Sequence, residues 1–398
     1  MNSTFLRRIG LCLLLFLAPS GRSFAAEVAG HPPPVVPPAA TTLAELQAQL
    51  DSHISQPRFA VALWGVKVAS LDSGKTLFEI HPERLLSPAS NSKLYTGALA
   101  LDVLGADYRI VTPLYAVGKP EASGTLRGDL IVAGRGDPSW RSKNRREDFW
   151  DIFTPFVAAL KAAGVRRVVG DIVADATYFR GPPNGAGWTA DDLNDDYGAE
   201  ISAVTLEDNF ADVRVLPGPA VGARCELTLL LPQTGLGLEN RTTTIAKGGT
   251  RRLEARRNIG DTTTYIFGEL PIGDREEILD VTVPRPAQWF AAALKVALIR
   301  AGIHVEGAPR SVRWPEASAV SAAAVKIGEV ASPPLRTMVA DFMKPSQNLE
   351  TDLIFGHVGE TQRTAEIPER RSSEAAGVAA LREYLRRHAL PVEDVIFE

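Results

Sequence analysis

The sequence predicts an α+β protein in which helices cover an antiparallel sheet and a large, mostly β insertion interrupts them. Three observations carry this. A strand pair, Phe59 to Ser70 and Lys75 to Ile80, turns at Asp72-Ser73-Gly74 and leads into an apolar helix that ends at Gly105. From Tyr108 to about Glu277 the texture changes to short strands punctuated by Gly, Pro and Asp turns. Helical patterning then returns at Pro286 to Ala301, Leu335 to Met343, Leu349 to Val358 and Ser373 to His388.

In chain order, residues 1–25 have the layout of an export leader. Arg7 and Arg8 precede an apolar run from Ile9 to Ala18, and Ser23-Phe24-Ala25 is a small-x-small cleavage site. The run is too short to span a bilayer comfortably, so the expectation is a periplasmic protein with no transmembrane segment once the leader is removed. Residues 26–40 form a Pro-rich linker around His31 to Pro38. Thr42-Leu43-Ala44-Glu45 is a capping box and opens a helix to about His53. Two copies of a Gly-Asp turn entering a strand follow, at Leu126 to Val132 and Val168 to Val173, with a helix from about Arg146 to Ala163 between them. Tyr197 to Val204 and Ala223 to Leu231 read as further strands. The domain expectation is a core of 41–110 and 281–398 split by an insertion of 111–280. The chain stops within the apolar run Val395-Ile396-Phe397, which predicts that more sequence follows.

Composition excludes several function classes. The formal charge of −4 becomes −7 once Arg7, Arg8 and Arg22 leave with the leader, which argues against nucleic acid. Cys225 is the one cysteine after the leader, so no internal disulfide is possible. The six histidines are scattered without paired ligand spacing, and no cofactor is expected.

The chemistry centres on Ser90-Asn91-Ser92-Lys93. Ser90 falls at a helix start, where free N–H groups favour a developing anion. Lys93, three residues on, shares its face of the helix. A buried lysine of lowered proton affinity can act as base on the serine. An N-cap serine beside a solvated lysine would leave the same tetrapeptide. Ser346-x-Asn348 places a hydroxyl and an amide at a second loop–helix boundary, where a plain helix cap is the alternative.

Together these motifs give the chain a resemblance to the type-4 low-molecular-mass penicillin-binding proteins, the D-alanyl-D-alanine carboxypeptidase/endopeptidases of the S13 peptidase family. Four stretches carry it: Pro88 to Lys93, Leu126 to Pro138, Gly187 to Asn209, and Lys344 to Leu349. The gap of 253 residues between Lys93 and Ser346 is similar to this family and far longer than in ordinary β-lactamases. The resemblance implies a β-lactamase/transpeptidase-like core and no cofactor. Ser90 would be the nucleophile, Lys93 the base, Ser346 a proton relay and Asn348 a holder of Lys93 and the substrate amide. Asp192 and Tyr197 would contact the diamino-acid end of a peptidoglycan peptide, with Asp195 read as a solvated loop charge. Peptidoglycan peptides are the expected partners and β-lactams the expected inhibitors. The family's third motif, Lys-Thr-Gly on a late strand, is absent in its expected place, which implies truncation before it and low activity of this fragment. A β-lactamase or esterase of the same fold and a non-catalytic peptidoglycan-binding protein are the rival readings.

Overall fold

The structure, a computed structural model, describes residues 39–143, 147–364, 371–393 and 395. The expected leader, most of the Pro-rich linker, Arg146 at the expected helix start and Ile396 to Glu398 lie outside them. The residues through Pro88 form one compact unit and those from Ala89 another.

The first unit is a helix and a hairpin. Helix α1 (Leu43–Ile54) starts on the anticipated capping box: Thr42 Oγ1 accepts the Glu45 N–H at 3.1 Å and Glu45 Oε2 accepts the Thr42 N–H at 3.1 Å. Strands β1 (Val66–Ala69) and β2 (Thr76–Ile80) pair antiparallel, and Gln47 Nε2 of the helix donates to the Leu77 carbonyl at 2.6 Å. The first strand is much shorter than expected. Pro57 instead starts a 3₁₀ turn over Pro57–Phe59, because its fixed φ suits a first helical position and not a strand interior.

The second unit opens with a 3₁₀ turn at Ala89–Asn91 and α2 (Ser92–Leu104). Strands β3 (Val111–Ala116), β4 (Thr125–Leu126) and β5 (Leu130–Ala133) follow, then α3 (Thr154–Ala162), β6 (Arg167–Val168) and β7 (Ile172–Ala176). The helix expected from about Arg146 is a 3₁₀ turn at Phe149–Phe153 running into α3. Tyr197 to Val204 is not a strand: a 3₁₀ turn at Asp196–Gly198 begins it and irregular backbone follows. Next come β8 (Phe210–Leu216), β9 (Glu226–Leu229), β10 (Gly237–Ile245), β11 (Arg252–Arg256), β12 (Thr263–Pro271) and β13 (Glu277–Thr282). The chain ends with α4 (Pro286–Arg300), β14 (His304–Val305), β15 (Pro309–Arg313), β16 (Val325–Ala331), α5 (Leu335–Met343), α6 (Asn348–Thr361) and α7 (Ser373–Arg387).

The main sheet of this unit has the order β15-β7-β5-β3-β16. Its strands β5, β7 and β15 are parallel, with Leu130 opposite Ile172 and Ile172 opposite Pro309. The two Gly-Asp turns therefore enter adjacent strands. A Cβ on Gly170 would sit 2.2 Å from the Gly128 carbonyl carbon, and one on Gly307 2.2 Å from the Gly170 carbonyl oxygen. Only glycine lets the three entering chains stack so closely. Arg310 ties the entry together, donating to Asp129 at 2.6 Å and Asp171 at 3.1 Å. Helix α4 packs on β7 and β15, and Trp140, Phe153, Phe156 and Phe290 fill the core beside it. Strands β15 and β16 pair with β7 and β3, so residues beyond 280, as far as Ala331, take part in this sheet.

A second core joins the helices that carry the motifs. Leu99 and Ala100 of α2 pack with Leu335, Met338 and Phe342 of α5 and with Ile354 and Val358 of α6. Burying each large aliphatic or aromatic side chain contributes about 1.5–3 kcal/mol, which fixes the helices bearing Ser90-x-x-Lys93 and Ser346-x-Asn348 against each other.

Candidate active site

Ser90 stands exposed in the 3₁₀ turn, and Lys93, the second residue of α2, is 7% exposed. The Lys93 Nζ donates to Ser90 Oγ at 3.1 Å and to Asn348 Oδ1 at 2.6 Å. Residues far apart in the chain thus meet on one ammonium. Burial lowers the proton affinity of Lys93, while the Asp352 carboxylate acts the other way. An amine of that kind within reach of a hydroxyl can take its proton.

Asn348 is the first residue of α6, and its backbone N–H donates to the Gln347 side chain at 2.9 Å. Gln347, not Ser346, therefore caps this helix. Ser346 lies in the left-handed region with φ 63°, and the Gln347 N–H donates to the Phe342 carbonyl at 2.9 Å. That bond closes the end of α5 in the Schellman manner, with Ser346 in the position usually taken by glycine. Among the described residues none hydrogen-bonds the Ser346 side chain, so Ser90, Lys93 and Asn348 are joined directly and Ser346 is not.

The insertion reaches the same place. Asn348 Nδ2 donates to the Tyr197 carbonyl at 3.4 Å. The Tyr197 hydroxyl donates to Asp192 Oδ1 at 3.1 Å and Asp195 Oδ2 at 3.0 Å, and the Trp188 ring lies 5.7 Å away. Desolvation and the two carboxylates hold the Tyr197 proton on. Asp192 is half-buried, and hydrogen bonds from Thr189, then Tyr197, keep its carboxyl below the usual range. Asp195, expected to be merely solvated, shares the Tyr197 hydroxyl.

The Gly134-x-Gly136-Asp137 motif supports this region from behind. A Cβ on Gly134 would lie 2.3 Å from the Ala203 carbonyl, and the Gly136 N–H donates to that same oxygen at 2.8 Å. Asp137 is fully buried, with Oδ1 accepting from the Ser139 N–H and hydroxyl, and burial raises its carboxyl to about 6.

Residues 46–398 match the D-Ala-D-Ala carboxypeptidase 3 (S13) family. The chain belongs to this family. A D-alanyl-D-alanine carboxypeptidase of Actinomadura sp. (strain R39) is 29% identical over 341 residues, which cover 83% of this S13 chain and 60% of that protein. The D-alanyl-D-alanine carboxypeptidase DacB of Haemophilus influenzae is 26% identical over 145 residues, 36% of this chain and 28% of that one. The chain thus spans three fifths or less of these relatives. The crystal structure of penicillin binding protein 4 (dacB) from H. influenzae superposes with a TM-score of 0.68 at 21% identity, covering 82% of this chain and 68% of that one. The same protein complexed with a novel β-lactam gives 0.62 at 19% identity. These likenesses establish the fold as that of the penicillin-binding proteins.

Within this S13 fold one residue near the site escaped the sequence. Asp352 follows Asn348 by one helical turn and interacts with Lys93. The i, i+4 spacing from Asn348 was the available signal.

Proposed function

We propose that this chain carries the acyl-transfer site of a serine-type D-Ala-D-Ala carboxypeptidase/endopeptidase that cleaves peptidoglycan stem peptides or cross-links in the periplasm. The observation that supports it most is the single Lys93 ammonium bonded to both Ser90 and Asn348. Family membership and the relatives' names point the same way. Ser90 Oγ attacks the carbonyl carbon of the penultimate D-Ala while Lys93 takes its proton. The C–N bond to the terminal residue breaks, and its nitrogen leaves as an amine with a proton passed on through Ser346. Water then attacks the ester carbon, the acyl–oxygen bond breaks, and Ser90 recovers its proton. Asn348 holds Lys93 in line, and Asp192 with Tyr197 receives the diamino-acid end of the peptide. A β-lactam presents a strained amide to the same serine and acylates it.

The test is covalent labelling of the full-length protein by a fluorescent penicillin, with the adduct mapped by mass spectrometry. Labelling at Ser90, lost in Ser90→Ala, is the expected result. Label that persists in that variant at another residue would overturn the assignment. Release of D-Ala from a D-Ala-D-Ala peptide, compared with nitrocefin hydrolysis, separates the peptidase from a β-lactamase. Cell fractionation checks the periplasmic location.

A further inference from the structure

One helical turn beyond Asn348, Asp352 lies on the wall of a cavity of about 790 Å³ enclosed by Trp188, Arg285, Trp314, Phe355 and Glu374. Its carboxyl is deep in the protein and keeps some accessible surface because it faces this cavity. Asn348 and Asp352 share a face of α6. The lysine that bonds Asn348 therefore also feels Asp352, although no direct ion pair joins them. Burial raises the Asp352 carboxyl to about 7 against the pull of Lys93, and Glu374 at the start of α7 adds to the rise. Lys93 from α2 and Glu374 from α7 are the charges that act on it. The cavity wall also carries Arg180, Glu200, Arg285, Arg313 and Glu316.

We propose that Asp352 is a positioning residue of the acyl-transfer step, its carboxylate stabilising the Lys93 ammonium that forms when Ser90 gives up its proton. This rests on the roles given above to Ser90 and Lys93. In the step, the Ser90 O–H bond breaks, the proton joins Lys93 Nζ, and the serine oxygen bonds the carbonyl carbon. A base that turns cationic at a buried position gains from a carboxylate held nearby, and the third group of a nucleophile–base–acid arrangement supplies that. The same carboxylate delays loss of the lysine proton, so its removal has two separable effects. The rate falls, and the rise of rate with pH moves to lower pH.

The experiment measures the rate of acylation by a fluorescent penicillin on the full-length protein from about pH 5 to 10. Asp352→Asn is expected to lower the plateau roughly tenfold and shift the rising limb down by about one pH unit. Asp352→Glu should restore most of both. Glu374→Gln removes the other charge acting on Asp352. With that charge gone Asp352 ionises at lower pH, so the pH dependence of the rate should move to lower pH with the plateau kept, a result readable even if thermal melting shows Asp352→Asn to be unfolded. A structural role alone would lower the rate without moving the limb. Profiles of Asp352→Asn and Glu374→Gln that superimpose on a normally labelled wild type would overturn the inference and leave the proposed function standing. A wild type unlabelled at Ser90 would overturn both.

Discussion

At Lys93 burial and hydrogen bonding pull in opposite directions: desolvation favours the free amine, while Asn348 Oδ1 at 2.6 Å and the Asp352 carboxylate favour the ammonium. A base balanced in this way gains its proton without a large penalty in either state. Lys93→Ala is expected to slow acylation by about 10²–10⁴-fold. Lys93→Arg should do no better, because a guanidinium stays protonated and cannot accept the serine proton. Rapid-mixing acylation kinetics check this, and a Lys93→Ala protein acylating at the wild-type rate would remove the lysine from the mechanism. Ser90 and Lys93 were visible in the sequence because their spacing falls on one helix turn. Asp352 was not, since an acid on an apolar helix reads as ordinary surface charge until the fold brings Lys93 beside it. Ser346 also escaped in part: helix closure by a left-handed residue is usually announced by glycine, and here a serine does it.

Among the elements, the stacked strand entries and the anchoring of α6 make the sharpest demands. Gly170→Ala would drive a methyl into the Gly128 backbone, at a cost of about 1–3 kcal/mol or more. Urea unfolding would report it as a lower midpoint, and an unchanged midpoint would show that the sheet adapts. Helix α6 is tied to the β5 strand end by His357, whose Nδ1 bonds the Arg135 carbonyl at 2.8 Å while Nε2 faces the Tyr108 hydroxyl at 2.9 Å. The ring is buried, which lowers its proton affinity to about 4. Since the unfolded chain then binds the extra proton first, stability from this group is present above the ordinary histidine value near 6.5 and is lost as pH falls toward 4. His357→Gln should flatten the fall of melting temperature between those limits relative to wild type. An equally steep fall in the variant would assign the acid sensitivity elsewhere. The helices here were legible from periodicity and caps. The parallel pairing of β5, β7 and β15 was not, because short buried strands carry no sign of their partners. The Gly-Asp repeat hinted at it without giving the third strand entry, where Gly307 is followed by Ala308 in place of an aspartate.

Across the whole second unit, the insertion brings its 188–198 segment back to the start of α6, where the Tyr197 carbonyl accepts from Asn348 at 3.4 Å. No local reading of the chain shows this, since 253 residues separate Lys93 from Ser346 and the meeting depends on the main sheet and the helix core together. The resemblance supplied Asp192 and Tyr197 by their spacing, and the structure places their hydroxyl–carboxylate pair beside the site. If the half-buried Asp192 carboxylate receives the cationic end of a diamino acid, its removal should weaken only ligands that carry that amine. Asp192→Ala leaves Tyr197 bonded to Asp195, at 3.0 Å, so the segment keeps an anchor and the Asn348 contact survives. The expected outcome is a fall in kcat/KM for wall-derived peptides on the order of tenfold, the loss of one charge-assisted bond. Acylation by penicillin, which lacks the amine, should stay at the wild-type rate. Measuring both on one preparation decides the matter: equal losses would mean that Asp192 supports the fold of the segment, and no loss on peptides would move the amine to another group.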